Sequence, residues 1–191
     1  QVSQSVQQKT RNSKPESTNK IIRNFAKNCH MLSLFKSKPK LAELIPSGYV
    51  DIHSHILPGI DDGAQKIKDS EFLLESMIDF GFSKVITTPH TMKNVWDNTT
   101  SSIGDAYNLV HSELPELSKQ VSLQFASEYF LDENLIRLAQ QEKLLSLKDN
   151  FILIEMSYLN APIQLYDFLF ELQLKGYQLV LAHPERYNYF H

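Results

Sequence analysis

From Tyr49 onward, short β-branched apolar runs alternate with segments of helical periodicity, and that alternation restricts the chain to an α/β fold built on parallel strands. The runs are YVDIH (49–53), KVITTP (84–89), VSLQFAS (121–127), FILIEMS (151–157) and QLVLAH (178–183). In the first intervening segment, Asp69 or Ser70 can cap a helix with Leu73, Leu74, Met77 and Ile78 on one face. Gly81 then stands where a left-handed C-terminal residue is wanted. Ile103, Tyr107, Val110 and Leu114 form a second stripe, which Pro115 should kink or end. Leu135, Leu138 and Ala139 suggest a third helix, and a fourth runs from Pro162 through Leu165, Leu169 and Leu172 to Gly176. Two helix exits, GFSKVITTPH and GYQLVLAHPE, resemble each other. Repeated βα units of this kind imply helices packed outside parallel strands, in either a barrel or an open doubly wound sheet.

Each run ends in a side chain that can hold a metal ion. The first ends in His53 and His55, the second in His90, the third in Glu128, the fourth in Glu155 and the fifth in His183. In parallel α/β proteins the C-terminal strand edge holds the active site, so these residues should converge. Strand alternation aims both histidines of the H-x-H pair to one side. The glycines of PGIDDG let the following loop fold back and return Asp61 or Asp62 to the site. Taking Asp62, the expected ligands are His53, His55, Asp62, His90, Glu128, Glu155 and His183. One zinc takes about four ligands and an octahedral ion about six, so seven point to at least two ions, with a carboxylate such as Glu128 as bridge. A sulfur-free imidazole and carboxylate set suits manganese, iron, zinc or cobalt. Taken singly, His90 reads as a turn residue and Glu155 as a buried carboxylate paired to Arg186 or a lysine; their conjunction at every strand end favours metal. His30, His111 and His191 read as bystanders.

Composition narrows the chemistry further. The 191 residues suit one globular domain, and no apolar run approaches the ~20 residues of a membrane span. The first thirty residues are Gln/Ser/Lys-rich and read as a disordered leader outside a functional domain of residues 31–191, with Met31 a natural start. Residues 31–191 carry 13 basic against 21 acidic groups, a net charge of −8 that matches a nucleic-acid backbone poorly. The single cysteine, Cys29, fits a reducing, cytoplasmic location. It is followed six residues on by Phe35 rather than arginine, which excludes a cysteine-based tyrosine phosphatase. No G-x-G-x-x-G or P-loop follows any strand.

The motifs DIHSHILPGIDDG, TTPH, ASEYF, LIEMS and AHPERY, in this order and spacing, resemble the PHP (polymerase and histidinol phosphatase) superfamily. More closely, they resemble its branch of manganese-dependent bacterial tyrosine-protein phosphatases, the CpsB/YwqE type. The resemblance covers about Met31 to His191. It implies a distorted (β/α)7 TIM-like barrel, a centre of two to three Mn2+ ions on the seven residues named, and a role in capsular or extracellular polysaccharide synthesis. It also implies a phosphotyrosine protein as substrate, a tyrosine kinase of polysaccharide export. Members of the superfamily continue past HPERY through further βα units, one ending in an Asp-x-His pair, so the C-terminal units of the barrel are expected to be missing from residues 31–191.

Arg186, in the loop after the His183 strand, is the arginine nearest this site. Its guanidinium can clamp phosphate oxygens, or it can simply pair with Glu185. Asp62 and Arg186 are the candidate catalytic residues. Trp96, in the loop after His90, is a candidate wall for a phosphotyrosine ring, or part of an exposed hinge. Competing functions are a histidinol-phosphate or sugar-phosphate type phosphatase, a nuclease, and a non-catalytic metal-binding module.

Overall fold

The computed structural model describes residue 39, residues 41–46 and residues 48–190. The expectations for residues 1–30, for Cys29 and for His191 lie outside the described residues. In chain order the elements are α1 (Leu41–Leu44), β1 (Val50–Asp51), α2 (Ile67–Asp79), β2 (Lys84–Thr87) and β3 (His90–Thr91). There follow α3 (Thr100–Glu113), α4 (Pro115–Gln120), β4 (Leu123–Phe125), β5 (Glu128–Phe130) and α5 (Glu133–Gln141). β6 (Phe151–Glu155), α6 (Leu165–Leu174), β7 (Gln178–Leu181) and two 3-10 turns, Pro184–Arg186 and Asn188–Phe190, complete the series.

Each pairing between these strands is parallel, in the orders β1-β2-β4 and β3-β5-β6-β7. These two ladders continue each other. Val85 faces Leu123 and His90 faces Glu128 at the same sequence offset. Between them the Ala126 amide donates to the Thr87 carbonyl (2.9 Å) and the Glu128 amide to the Pro89 carbonyl (3.0 Å). The second and third runs are thus each one strand with an interruption. Pro89 accounts for the first gap, since it has no amide to give a ladder. Ser127 fills the second: its hydroxyl donates to the Pro89 carbonyl (3.0 Å) and shares a 2.7 Å hydrogen bond with Thr91. The five runs accordingly lie side by side in sequence order, without the reversal that defines a doubly wound sheet.

Alternation along the strands separates two apolar faces. Val85, Leu123, Ile152 and Ile154 pack against the helices, with Leu74, Ile103 and Val110 at one end and Leu135, Phe168 and Leu172 at the other. On the opposite face, Ile86, Ala126, Leu147, Leu153 and Ala182 form a smaller core. That second core is the floor of the site, because two residues beyond Ala126 and Leu153 stand Glu128 and Glu155.

Several boundaries differ from expectation for local reasons. β1 covers only two residues; beyond it Ile56 donates to the Thr87 hydroxyl (3.1 Å) and the Thr88 amide to the Ser54 carbonyl (2.7 Å), so side chain and loop replace the ladder. α2 begins at Ile67, ahead of Asp69, whose carboxylate reaches back to the Gln65 and Lys66 amides (3.1 Å each) as a third-position capping residue. Pro115 ends α3 and opens α4. α6 starts at Leu165, after Pro162 has closed a turn through its carbonyl. Gly81 has the expected positive φ, 85°, and Gly176, just past the end of α6, takes 87° as well. Among the described residues no helix is long and apolar enough to cross a membrane.

Candidate metal centre

The side chains at the strand ends meet around Glu128. Its carboxylate is fully buried, with Oε2 at 3.1 Å from His53 Nε2, 3.4 Å from His55 Nε2 and 3.2 Å from His90 Nδ1, and Oε1 at 3.0 Å from His183 Nε2. Glu155, also buried, lies 2.8 Å from His90 Nδ1 and 3.9 Å from His183 Nε2. Asp62 reaches in from the folded-back loop to 3.5 Å from His90 Nε2, with its side chain still 63% exposed. Three overlapping groups could each hold an ion: His53, Glu128 and His183; His55, Asp62 and His90; and His90, Glu128 and Glu155. All seven residues expected as ligands are brought together, at one end of the sheet. His111 stands apart on α3, against Tyr107.

Three of these positions follow from strand alternation, but His183 does not. Val180 and Ala182 face the inner core, so an extended residue 183 would point outward. His183 instead adopts a left-handed backbone (φ 30°, ψ 59°), rare outside glycine, and its ring reaches Glu128. Strain of this kind persists only where the surroundings impose it.

The loop after the H-x-H pair is built to hold His55. The Ala64 amide donates to the His55 carbonyl (3.1 Å), the Gly59 amide to the Ala64 carbonyl (2.8 Å), and Gly59 takes φ 73° to make the turn. Asp61, the neighbour of Asp62, is buried and serves the site indirectly. It lies 2.7 Å from His55 Nδ1 and accepts from the Gly63 (2.9 Å) and His90 (3.1 Å) amides. An imidazole whose Nδ1–H is held by a carboxylate presents the Nε2 lone pair to its other neighbours, the usual support for a metal-ligating histidine.

Buried carboxylates ordinarily pair with Lys or Arg. Among the described residues neither Glu128 nor Glu155 has such a partner; both meet only imidazoles. Several contacts are close without being hydrogen bonds: His90 Nδ1, Glu128 Oε2 and Glu155 Oε1 are buried yet unsatisfied. Donor atoms aimed at a common space, several of them buried without a hydrogen-bond partner, are what a cation-binding cluster presents. The electrostatics agree. Burial disfavours charge on His55, but the hydrogen-bonded Asp61 and the adjacent Glu128 carboxylate outweigh it and its pKa is pushed up to about 10. For His90 burial again opposes and the Glu155 and Glu128 carboxylates prevail, raising it. Glu128 is lowered despite burial by His53 and His55, and Asp61 by His55 and two amides.

A cavity of about 370 Å3 opens above the cluster, lined also by Tyr158, Glu185 and Arg186. Arg186 does not pair with Glu155 or Glu185. It donates to the Tyr158 hydroxyl (3.0 Å) and lies 5.6 Å from that ring's centre. Tyr158 packs in turn near His183 and Tyr187. Tyr187 is fully buried, takes the Met156 amide on its hydroxyl (3.1 Å), and is pushed up by burial to about 12. Neither tyrosine was singled out from the sequence; the spacing from Glu155 to Tyr158 and the aromatic run after His183 were the only signals. Trp96 does not line this cavity. It stacks on the outer side of His90, ring centres 4.5 Å apart at 11°.

A family model described as capsular polysaccharide synthesis, CpsB/CapC, matches residues 49–191. The tyrosine-protein phosphatase YwqE of Bacillus subtilis is 33% identical over 138 residues, covering 72% of this chain and 54% of the relative. The tyrosine-protein phosphatase CpsB of Streptococcus pneumoniae is 25% identical over 140 residues, 73% of this chain and 58% of the relative. A solved structure from work on YwqE and CpsB, described as unique metal-dependent tyrosine phosphatases, superposes with a TM-score of 0.66 at 32% identity, over 72% of this chain and 56% of that one. The chain spans about half the length of the curated relatives it matches. With parallel βα units, a cluster of imidazoles and buried carboxylates at their ends, and a family match over residues 49–191, the chain belongs to the CpsB/CapC family of capsular polysaccharide synthesis.

Proposed function

We propose that the chain carries the metal-binding part of a phosphomonoester hydrolase that acts on protein phosphotyrosine in capsular or extracellular polysaccharide synthesis. The observation that carries this reading is Glu128, a fully buried carboxylate ringed by four histidines, with no lysine or arginine at ion-pair distance among the described residues. The relatives named as tyrosine-protein phosphatases support the choice of substrate class. A tyrosine kinase of polysaccharide export is the phosphoprotein that the resemblance implies, and the cytoplasm the location.

His53, His55, Asp62, His90, Glu128, Glu155 and His183 hold two or three divalent ions, manganese by the resemblance. The overlap of the three candidate groups, with Glu128 and His90 each in two, favours more than one ion. A (β/α)7 barrel is the architecture proposed for the whole protein. Sequential parallel order, with β1 and β7 as the outer strands of the described residues, supports it, since an arc of a barrel has that order.

Bound divalent cations supply Lewis acidity and a water of lowered pKa. The chain's own groups do the rest. Arg186, steered by Tyr158 at the cavity wall, clamps the non-bridging phosphate oxygens and stabilises charge as the ester bond breaks. Asp62 takes the proton given up by the attacking water, a role that its position at the mouth, 3.5 Å from His90 and with its side chain 63% exposed, supports. Asp61 keeps His55 in one tautomer throughout.

The test is hydrolysis of p-nitrophenyl phosphate and of a phosphotyrosine peptide with and without manganese. Turnover should require the metal and fall about a hundredfold in His53→Ala. Metal-independent turnover, or an unimpaired His53→Ala, overturns the reading. Manganese binding without turnover of either substrate would leave a binding module, and preference for histidinol or sugar phosphates would move the enzyme to the small-molecule class.

A further inference from the structure

A second cavity, of about 150 Å3, lies behind the His90–Trp96 stack. Its walls include Trp96, Lys93, Asp97, Asn134 and Arg137. It differs from the metal centre in chemistry as well as place. The Arg137 guanidinium donates to two neutral oxygens, Gln141 Oε1 and Asn134 Oδ1 (2.6 Å each), and no carboxylate lies within ion-pair distance of it among the described residues. Lys93 shares Asp97 at 3.6 Å, but that carboxylate also accepts the Asn94 amide (3.0 Å) and so closes the turn as well as balancing the lysine. The cavity therefore carries an excess of positive charge on a body that is strongly acidic elsewhere.

The turn that forms this cavity is fixed to the metal centre. Asn98 donates to the His90 and Ile60 carbonyls (2.8 Å each), and Asn94 takes a positive φ of 65° to bring Trp96 back against His90. One face of the stack therefore belongs to the main cavity, through His90, and the other to the second cavity, through Trp96. An extended peptide crossing a single stacked pair of rings needs about two or three residues at ~3.4 Å each.

We propose that this second cavity is an anion subsite, which takes a carboxylate or a second phosphate carried two or three residues from the phosphotyrosine held in the main cavity. Arg137 supplies the forked donor and Lys93 a point charge. Trp96 is the partition over which the peptide passes. The subsite selects peptides that are anionic at that position, and this selection rests on the phosphatase reading above.

Three phosphotyrosine peptides test it, alike except for a Glu, a phosphotyrosine or a Lys at the second or third residue from the scissile phosphate. Each peptide's kcat/KM is divided by that on p-nitrophenyl phosphate for the same variant. The Glu and phosphotyrosine peptides should exceed the Lys peptide by about fivefold, the scale of an exposed charged contact. The larger of those two ratios identifies which anion the subsite prefers. Arg137→Gln and, separately, Lys93→Gln should flatten the preference, and Arg137→Glu should reverse it toward the Lys peptide. A merely structural role for Arg137 would not produce a reversal.

Trp96, the sole tryptophan of the chain, gives an independent readout. Its fluorescence should change saturably with an unphosphorylated Glu peptide and not with its Lys counterpart, and the change should vanish in Arg137→Gln. Equal ratios in the wild-type chain, a preference surviving Arg137→Gln, or an unresponsive Trp96 overturns the proposal. If p-nitrophenyl phosphate is not hydrolysed at all, the phosphatase reading fails while the fluorescence result still decides the subsite.

Discussion

At position 63 a β-carbon would fall inside the van der Waals envelope of the His55 β-carbon and carbonyl oxygen, so glycine is required there by contact rather than by backbone angle. Gly63→Ala must push the loop off His55, costing about 1–3 kcal/mol of stability, and should weaken manganese binding as His55 and Asp61 separate. Gly104 offers the internal control. A β-carbon there meets nothing within 4 Å, and the residue is in α3, so Gly104→Ala should stabilise by up to about 1 kcal/mol. Thermal denaturation of both variants, with a manganese titration of each, checks the pair; equal effects would mean that the loop can yield at Gly63. The same loop marks where reading single residues stops. The pattern DDG announces that an aspartate returns to the site, but which one enters and which one braces His55 depends on a turn conformation that two adjacent, chemically identical side chains do not encode.

Elements deliver these residues, and their caps determine how firmly. Asp132 is extended and accepts the Leu135 amide (2.9 Å), capping α5, whose Leu135, Ile136 and Ala139 pack in the same core as Tyr129, the residue after Glu128. Asp132→Ala should cost about 1 kcal/mol and lower Tm by about 2–4 °C, with metal affinity little changed because Glu128 is anchored by the ladder to Leu153. A calorimetric scan that shows no loss would mean that water replaces the cap. At this scale much was legible: five apolar runs in parallel, helix stripes between them, and His90, Glu128 and Glu155 each an even number of residues beyond an inner-core residue. What escaped was governed by exceptions to period two. The breaks at Pro89 and Ser127 divide two strands without altering their register, and the left-handed backbone at His183 turns that ring inward against the alternation. The partnership of Tyr158 with Arg186 joins two loops, which periodicity does not address.

Across the whole molecule the cluster links folding to both protons and metal. Without metal, His55 is held protonated by Asp61 and Glu128, its pKa pushed up from 6.5 to about 10. A raised folded-state pKa contributes stability that is complete below about pH 6.5 and is lost as pH climbs through about 10. The lowered carboxyls of Glu128 and Asp61 act in the other direction, contributing above their ordinary values of 4.5 and 3.8 and failing as the solution is acidified below them. Metal-free protein should therefore be most stable near pH 5–6.5, and between pH 6.5 and 9 its Tm should fall by at least about 3 °C, roughly 1 kcal/mol in a chain of this size. A divalent ion bound at the cluster should reverse the slope, because ligation needs a neutral imidazole and so displaces protons. The Tm gained on adding manganese should grow from pH 6 to pH 8, and calorimetric titrations in buffers of different ionisation enthalpy should show proton release to the buffer. A metal-free Tm that stays flat over pH 6.5–9, or binding without proton release, would mean that His55 is already neutral before the ion arrives, and that its bond to Asp61 sets a tautomer without storing charge.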